Sequence, residues 1–173
     1  AQSTKLPVIQ QPVFKKDSFS ITTFGAVADG ITLNTKSINA AIEACHKKGG
    51  GVVVVPAGLW ITGPVVLKSN VNLHLKVNSV LQFTDDKGQY PLVKGNWEGL
   101  PQMRNQSPIW ATAQENIAIT GFGIIDGAGE AWRMVKKEKL TESQWKKLLA
   151  SGGVLDEGKR IWYPSEKTLK GAK

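Results

Sequence analysis

Two similar stretches of sequence decide the fold. Residues 69–82 read SNVNLHLKVNSVLQ, and residues 115–128 read ENIAITGFGIIDGA. Aligned on Asn70 and Asn116, each has an asparagine followed by apolar residues at alternate positions, and the offset between them is 46 residues. Half of that offset, about 23 residues, is a spacing typical of one repeat in a stacked solenoid. We therefore interpret the offset as two coils of a repeating β structure.

The surrounding residues extend this pattern of short strands with Gly, Pro and Asn at the corners. We expect strands at 18–23, 52–55, 59–62, 65–67, 71–77, 80–83 and 109–111, and two more around Ile117, Ile119, Ile124 and Ile125. A looser stretch, residues 84–106, shows no period. Short β-branched strands without long intervening helices favour a parallel β-helix, in which each coil buries its inward row on the next. A β-sandwich is the alternative from these residues alone.

One helix is predicted in the first half, over residues 32–48. Its apolar residues recur at i, i+3, i+4 and i+7, the spacing of one helical stripe; they are Ile38, Ala41, Ile42 and Cys45. Asp29 and Gly30 read as the turn before it, Thr32 or Asn34 as its N-cap, and residues 49–51, all glycine, as its end. A second helix is expected within 132–150, with a new start at 141–143 and a stop at 152–153.

Composition and charge narrow the class of protein. The chain has 173 residues, of which 41% are apolar, and a single cysteine, Cys45, which excludes an intramolecular disulfide and a cysteine-based zinc site. Residues 1–131 carry 11 basic and 9 acidic side chains, whereas residues 132–173 carry 11 basic and 5 acidic. The net charge of +8 is therefore mainly a property of the C-terminal segment, which reads as a solvated helix or as a surface for a polyanion.

The sequence also indicates a location. Its longest apolar run, residues 51–55, is far short of the ~20 residues that cross a bilayer, so we expect a soluble chain without membrane insertion. The first residue is Ala1, and no hydrophobic leader follows it. This start is typical of a chain from which a signal peptide has been removed. We expect a secreted or periplasmic protein.

Three longer motifs carry a resemblance to a known family. They are FGAVADGITLNTKSINAAIEAC at 24–45, GGVVVVPAGLWITGPVVLKSNVNLHL at 50–75 and NIAITGFGIIDGAGEAW at 116–132. Together they resemble the opening of the pectin-degrading enzymes of glycoside hydrolase family 28, the polygalacturonases, more closely than the related lyases. The resemblance implies a mainly β fold, a right-handed parallel β-helix with an N-terminal capping α-helix, followed in this chain by a basic helical insertion.

The resemblance also implies an organisation and an activity. We expect an extended arm at 1–17, the cap and first coils at 18–131, and a basic helical or loop insertion at 132–173, with the chain ending before the catalytic coils. The implied reaction is inverting hydrolysis of α-1,4-galacturonosidic bonds in pectin, with no cofactor. The implied partners are the acidic polysaccharide and the C-terminal remainder of the same β-helix, possibly as a separate chain; no nucleic acid is expected.

The catalytic motifs of that family are not found in this sequence. The family uses three aspartates in Asn-Thr-Asp and Gly-Asp-Asp motifs, supported by Gly-His-Gly and Arg-Ile-Lys. Here Asn34-Thr35 precedes Lys36, and the one Asp pair, Asp85-Asp86, follows Thr84. Neither histidine has glycine neighbours, and Arg160-Ile161 precedes a tryptophan. No catalytic residue can therefore be assigned to this chain, and the segment alone is expected to be inactive.

Side-chain chemistry indicates candidate binding residues. A guanidinium beside aromatic rings suits the carboxylate and the ring of a uronate, which selects Arg160, Trp162 and Tyr163. Arg104 and Arg133 are secondary candidates. Asp126 reads as a turn residue, and Asp85-Asp86 as an exposed turn rather than a calcium site, so no metal is expected.

Three alternatives to the hydrolase stay open. One is a calcium-dependent pectate lyase, and another is a non-catalytic β-helix module that binds acidic glycans. The third, a nucleic-acid binder, depends on the charge of +8 alone, because the sequence has no recognisable reading element.

Overall fold

A computed structural model describes residues 8–172 of the chain. The fold is a right-handed parallel β-helix with a lateral group of further elements. In chain order the strands and helices are β1 (Ser18–Ser20), β2 (Asp29–Leu33), α1 (Thr35–Lys47), β3 (Gly51–Val55), β4 (Gly58–Thr62), β5 (Val65–Val66), β6 (Val71–Leu75), β7 (Ser79–Phe83), β8 (Leu92–Trp97), β9 (Leu100–Asn105), β10 (Ile109–Trp110), β11 (Ala118–Gly121), β12 (Ile124–Asp126), β13 (Val135–Lys136), α2 (Glu142–Ala150), β14 (Val154–Leu155), β15 (Ile161–Tyr163) and α3 (Glu166–Lys170).

Three parallel sheets form the walls of the β-helix. The first has the order β1-β3-β6-β11, the second β2-β4-β7-β12, and the third pairs β5 with β10. The chain passes from the first sheet to the second and then to the third before it begins the next coil. The β-helix predicted from the short strands is confirmed, and the β-sandwich is excluded because the strands of these sheets are parallel.

The coil spacing differs from the sequence interpretation. The register places Val52 beside Asn72, a step of 20 residues, and Asn72 beside Ala118, a step of 46 residues. The alignment of the two stretches is therefore right, but the interpretation of its offset as two coils is wrong. It is one coil, enlarged because residues 84–108 leave the β-helix between β7 and β10.

Helix α1 covers one end of the stack. Ile38, Ala41, Ile42 and Cys45, the predicted stripe, are all fully buried, and the helix contacts β1, β3, β5 and β6. The predicted start at residue 32 is wrong, since Thr32 lies in β2 and the helix begins at Thr35. Asp29 begins β2, and the expected turn is an irregularity within that strand, where Gly30 has a φ of 70° and Asp29 Oδ1 accepts from Ile31 N at 2.9 Å and Thr32 N at 2.7 Å. Cys45 is a small buried side chain, and burial raises its pKa to about 11.

Asn34 shows why the helix starts late. Its amide does not cap α1. Instead its Oδ1 accepts a hydrogen bond from Val27 N at 2.7 Å, and its Nδ2 donates to Val27 O at 2.9 Å and Ile61 O at 3.2 Å. The side chain is 1% exposed. It therefore joins the turn before β2 to the next coil, which fixes the position of the cap on the stack.

Asparagines occupy three corners of the coils. Asn70, Asn78 and Asn116 have positive φ values of 66°, 62° and 52°, a backbone region in which Asn is enriched. Asn116 Nδ2 donates to Asn70 Oδ1 at 2.9 Å, between neighbouring coils. The turn at Asn78 ends β6 at Leu75, so the predicted strand over 71–77 is too long and Val77 is 61% exposed.

The N-terminal arm expected at 1–17 lies partly outside the described residues. Its described part, residues 8–17, has no helix or strand. Val13 exchanges two hydrogen bonds with the Asn116 amide, at 3.0 Å and 2.8 Å, and Lys15 Nζ donates to Lys48 O at 3.1 Å. The arm thus contacts both the C-terminal end of α1 and the last corner of the stack.

The other end of the stack is uncovered. Ile119 pairs in register with Leu73, and Ile125 with Leu81, so both belong to the inward apolar row. Leu73 and Leu81 are 0% exposed, whereas Ile119 is 41% and Ile125 is 39% exposed. The difference arises because no further coil lies on β10, β11 and β12 among residues 8–172.

Residues 84–106 and 132–172 contain more structure than their sequences indicate. Strands β8 and β9 form an antiparallel hairpin in the stretch that shows no period. The segment expected to be helical contains α2 and α3 but also the antiparallel sheet β13-β15-β14. The predicted start of α2 is confirmed, since Thr141 and Gln144 form a reciprocal capping box.

The helices of residues 8–172 are too short or too polar to cross a membrane.

Candidate functional site

The candidate site lies beside the β-helix, in two long connections. Residues 84–108 and 127–172 both begin directly after a strand of the second sheet, and we call them together the lateral block. The rings of Tyr90 and Trp132 meet at right angles, with centroids 4.8 Å apart. Asn105 Nδ2 donates to Lys167 O at 3.3 Å. Because these contacts join insertions from successive coils, the lateral block is a single packed unit next to the third sheet.

Three cavities lie within the lateral block or between it and the β-helix, and they differ in charge. The acidic pocket, about 420 Å³, is lined by Asp85 and Glu130 together with Gln82. The neutral pocket, about 300 Å³, has Tyr90 and Trp132 in its walls and no ionised side chain. The basic pocket, about 210 Å³, contains Arg104 as its one charged residue. These names are kept below.

The basic pocket brings two of the predicted binding residues together. Arg104 and Tyr163 line it with Trp132 and Thr168. Tyr163 is buried, so it contributes a wall rather than an exposed platform. Arg104 and Tyr163 are 59 positions apart in sequence, and the contact between β9 and α3 is what joins the two parts of the chain.

The Arg104 side chain is held along one face of the hairpin. Its Cζ lies 4.6 Å from the centroid of the Trp97 ring, and its Nη1 donates to Gln102 Oε1 at 3.2 Å. Gly95 lies between Arg104 and Trp97 on the same face, since the register pairs it with Gln102, and it leaves room for the long side chain. No carboxylate forms an ion pair with Arg104 among the described residues. Its charge is therefore available to an acidic ligand.

Arg160, Trp162 and Arg133 do not line the basic pocket. Arg160 is exposed and lies 3.4 Å from Glu138 Oε2, an ion pair that offsets its charge. The Trp162 indole donates to Gly152 O at 2.7 Å and packs against Gly153, which indicates a structural contribution. Arg133 is exposed directly after Trp132. Of the predicted residues Arg160, Trp162 and Tyr163, only Tyr163 therefore lines the basic pocket.

Asp86, in the lateral block, and Asp126, at the end of β12, both accept hydrogen bonds from backbone N–H groups two residues further on. Asp86 accepts hydrogen bonds from Gln89 Nε2 at 3.0 Å and from Gly88 N at 2.8 Å, and these bonds lower its pKa. Asp126 accepts from Ala128 N at 2.9 Å and from Gln82 Nε2 at 3.1 Å, as expected of a turn residue. In residues 8–172 no three Asp, Glu, His or Cys side chains are grouped so that they could hold a metal ion.

Tyr90 and Trp132 are the residues that sequence reasoning missed. Tyr90 is 1% exposed and its hydroxyl donates to Thr84 O at 2.7 Å. Burial, followed by the nearby carboxylates of Asp85 and Asp86, raises its pKa to about 12. Lys87 Nζ lies 5.7 Å from the centroid of Trp132. Only the aromatic content of the two long connections signalled this cluster, and the sequence does not show which rings meet.

Known proteins match the chain in both sequence and structure. The sequence profile of the family described as "Rhamnogalacturonase A/epimerase, pectate lyase-like" matches residues 18–151. A probable polygalacturonase of Vitis vinifera is 38% identical over 124 residues, which cover 66% of this chain and 25% of that protein. An exo-poly-alpha-D-galacturonosidase of Dickeya chrysanthemi is 38% identical over 118 residues, which cover 64% of this chain and 19% of that protein.

A crystal structure of an exopolygalacturonase is also similar to this chain. The hyperthermoactive exopolygalacturonase of Thermotoga maritima superimposes with a TM-score of 0.65 and 35% identity, covering 75% of this chain and 28% of that one. The chain thus spans about a quarter or less of the length of the two curated relatives. The profile match includes the cap, all the coils and helix α2. The chain therefore belongs to the rhamnogalacturonase A/epimerase, pectate lyase-like family, and its relatives include polygalacturonases.

Proposed function

We propose that this chain is the N-terminal part of a glycoside hydrolase that cleaves α-1,4-galacturonosidic bonds in polygalacturonate. The observation that carries the proposal is the 38% identity to an exo-poly-alpha-D-galacturonosidase over 118 residues. The similarity to the Thermotoga maritima exopolygalacturonase structure supports it, because both comparisons select the same class of enzyme.

The catalytic aspartates belong, in this proposal, to further coils outside the chain. Inverting hydrolysis needs one carboxylic acid to protonate the leaving oxygen and one carboxylate to activate water, with the two about 6.5–9.5 Å apart. The uncovered inward row at Ile119 and Ile125 supports the proposal, since another coil would bury it. The remainder of the β-helix is therefore the first partner, and the 173-residue chain alone is inactive.

The substrate would lie against the lateral block. Arg104 is the strongest of the predicted contacts, because it has a positive charge without a carboxylate partner among residues 8–172 and lines a cavity with Tyr163. We retain Arg160, Trp162 and Arg133 as outer contacts only. Pectin is a polysaccharide of the plant cell wall, so an enzyme that cleaves it acts outside the cytoplasm. The proposal therefore includes a secreted or periplasmic location.

Mass spectrometry and product assays test the proposed function. The sequence should be found in its source together with Asn-Thr-Asp and Gly-Asp-Asp motifs, in one longer polypeptide or in a tightly bound second one. That material should release saturated galacturonate products of inverted anomeric configuration from polygalacturonate. Cleavage by the 173-residue chain alone would contradict the placement of the aspartates.

The same assays decide between the alternatives. Cleavage that requires calcium and releases unsaturated products, which absorb in the ultraviolet, would establish a lyase. Binding of polygalacturonate by the whole protein without any cleavage would establish a non-catalytic glycan-binding module. Either result would overturn the hydrolase and leave the family assignment intact.

A further inference from the structure

The neutral pocket is formed where the two parts of the lateral block meet. Tyr90 and Trp132 make an aromatic corner, with ring planes at 84° to one another. Gln106 and Ser107 come from the segment before β10, and Gly127 and Gly129, also in the lining, come from the segment after β12. At about 300 Å³ the pocket is at the lower end of the range for ligand sites, so it suits one sugar ring rather than a chain.

Charge around this pocket disfavours an anion. No Asp, Glu, Lys, Arg or His is among the lining residues. Burial, and after it the nearby carboxylates of Asp85 and Asp86, raises the pKa of Tyr90 in the pocket wall. The Lys87 ammonium is 5.7 Å from the Trp132 centroid but does not line the pocket. A bound carboxylate would thus lose its hydration without gaining a cation, which is costly.

The polar groups of the pocket suit hydroxyl groups. Within residues 8–172, neither the side-chain amide of Gln106 nor the Ser107 hydroxyl has a hydrogen-bond partner in the protein. Asn105 lies between the neutral and basic pockets and lines both, and its Oδ1 is a buried acceptor without a partner in the described residues. Amides and hydroxyls both donate and accept, as sugar hydroxyls do. The flat apolar face of an indole suits the C–H face of a pyranose ring.

We propose that the neutral pocket binds one uncharged pyranose ring, stacked on Trp132, with its hydroxyls bonded to Gln106 and Ser107. The inference depends on the proposed function for its biological context. In a pectic chain, the ring is either a neutral hexose or a galacturonate whose carboxyl is methyl-esterified. The pocket then selects for uncharged residues, whereas Arg104 on the neighbouring cavity selects for charged ones.

A matched set of three ligands tests the charge preference. The ligands are methyl α-galactoside, the methyl α-glycoside of galacturonic acid with a free carboxyl group, and the methyl ester of that glycoside. All three share one ring configuration, and only the free acid is charged at neutral pH. We expect the Trp132 indole resonance, assigned with Trp132→Phe, to shift on titration with the galactoside and the ester. The acid should need at least a tenfold higher concentration, since an unpaired buried charge costs more than about 1.4 kcal/mol.

Gly127→Leu adds an apolar side chain to the lining of the pocket at a position with open space around it. A Cβ on Gly127 would meet no atom within 4 Å, and its φ is not positive, so the larger side chain enters open space. We expect this variant to unfold at the wild-type urea concentration and to bind the galactoside at least tenfold more weakly. Ala40→Leu, which adds a similar apolar volume at an exposed position of α1, should bind as wild type does.

The outcomes separate this inference from the proposed function. Equal affinity for the acid and the ester, unchanged binding in a folded Gly127→Leu variant, or no shift with any of the three ligands would each overturn the neutral site. None of these results affects the hydrolase proposal, which is decided by the products released from polygalacturonate. Preference of the pocket for the ester over the galactoside would identify esterified pectin as the source of the ring.

Discussion

The two ends of the β-helix are built from the same kinds of residue but in different environments. At the N-terminal end α1 covers the stack, and Ile38 and Ile42 are 0% exposed. At the other end Ile119 and Ile125 occupy the inward row and remain about 40% exposed. In a solenoid, each coil obtains much of its stability from the neighbour that covers it. The alternation of apolar residues along a strand therefore identifies the inward row, whereas the burial of that row depends on whether another coil or a helix covers it.

The largest expected effect is a difference between two identical substitutions. Ile42→Ala at the covered end should lower the free energy of unfolding by about 2–5 kcal/mol, because it leaves a cavity that cannot collapse fully. Ile119→Ala at the open end should cost about 1 kcal/mol, since its side chain is already 41% exposed. Urea denaturation of both variants measures the difference. Equal losses would show that the open end is packed as tightly as the covered one.

An intermediate effect is expected at the corner that links the open end to the arm. Asn116→Ala removes the bond to Asn70 and both bonds to Val13, and it places alanine at a φ of 52°. We expect a loss of about 2 kcal/mol in urea denaturation. Asn116→Gly is the control, because it accepts the backbone conformation and isolates the contribution of the amide. If both variants match wild type, the corner does not stabilise the stack.

The smallest effect concerns pH at the covered end. Hydrogen bonds from the Thr32 hydroxyl, then from Thr32 N and Ile31 N, lower the pKa of Asp29 from 3.8 to about 2. A lowered pKa in the folded state stabilises the protein above pH 3.8, and this contribution is lost as the pH falls towards 2.

Asp29→Asn cannot titrate, so its urea midpoint should fall less than that of wild type between pH 4 and pH 2. The comparison of the two proteins by denaturation at each pH removes the effects of the other carboxyl groups. Parallel decreases in the two proteins would show that Asp29 is not stabilised in the folded state.

The β-helix itself could be predicted from sequence because its signals are local. The stripe of α1 and the alternation around Val71 and Leu73 repeat within a few residues, so the pattern identifies the elements directly. The predicted start of α1, near Asn34, and the predicted end of β6, near Asn78, are each displaced by two or three residues from those of the structure. There a side chain that bonds a distant backbone, or a backbone with positive φ, decides where an element starts or ends.

The coil length and the candidate site could not be predicted in the same way. An offset of 46 residues is equally consistent with two short coils or one enlarged coil, and only the pairing of Asn72 with Ala118 decides between them. The pockets depend on contacts such as that of Tyr90 with Trp132, between connections from different coils. Adjacent residues such as Arg160, Trp162 and Tyr163 share a sequence motif without sharing a cavity.

Hydrogen exchange at the edge strands tests the central claim most directly. The claim is that one end of the stack is closed by α1 and that β11 and β12 form an edge open to another coil. We expect the outward-edge amides of β11 and β12 to exchange at least about 100-fold faster than the amides of β3 and β6, which are paired on both sides. Equal protection of the two sets would contradict the claim.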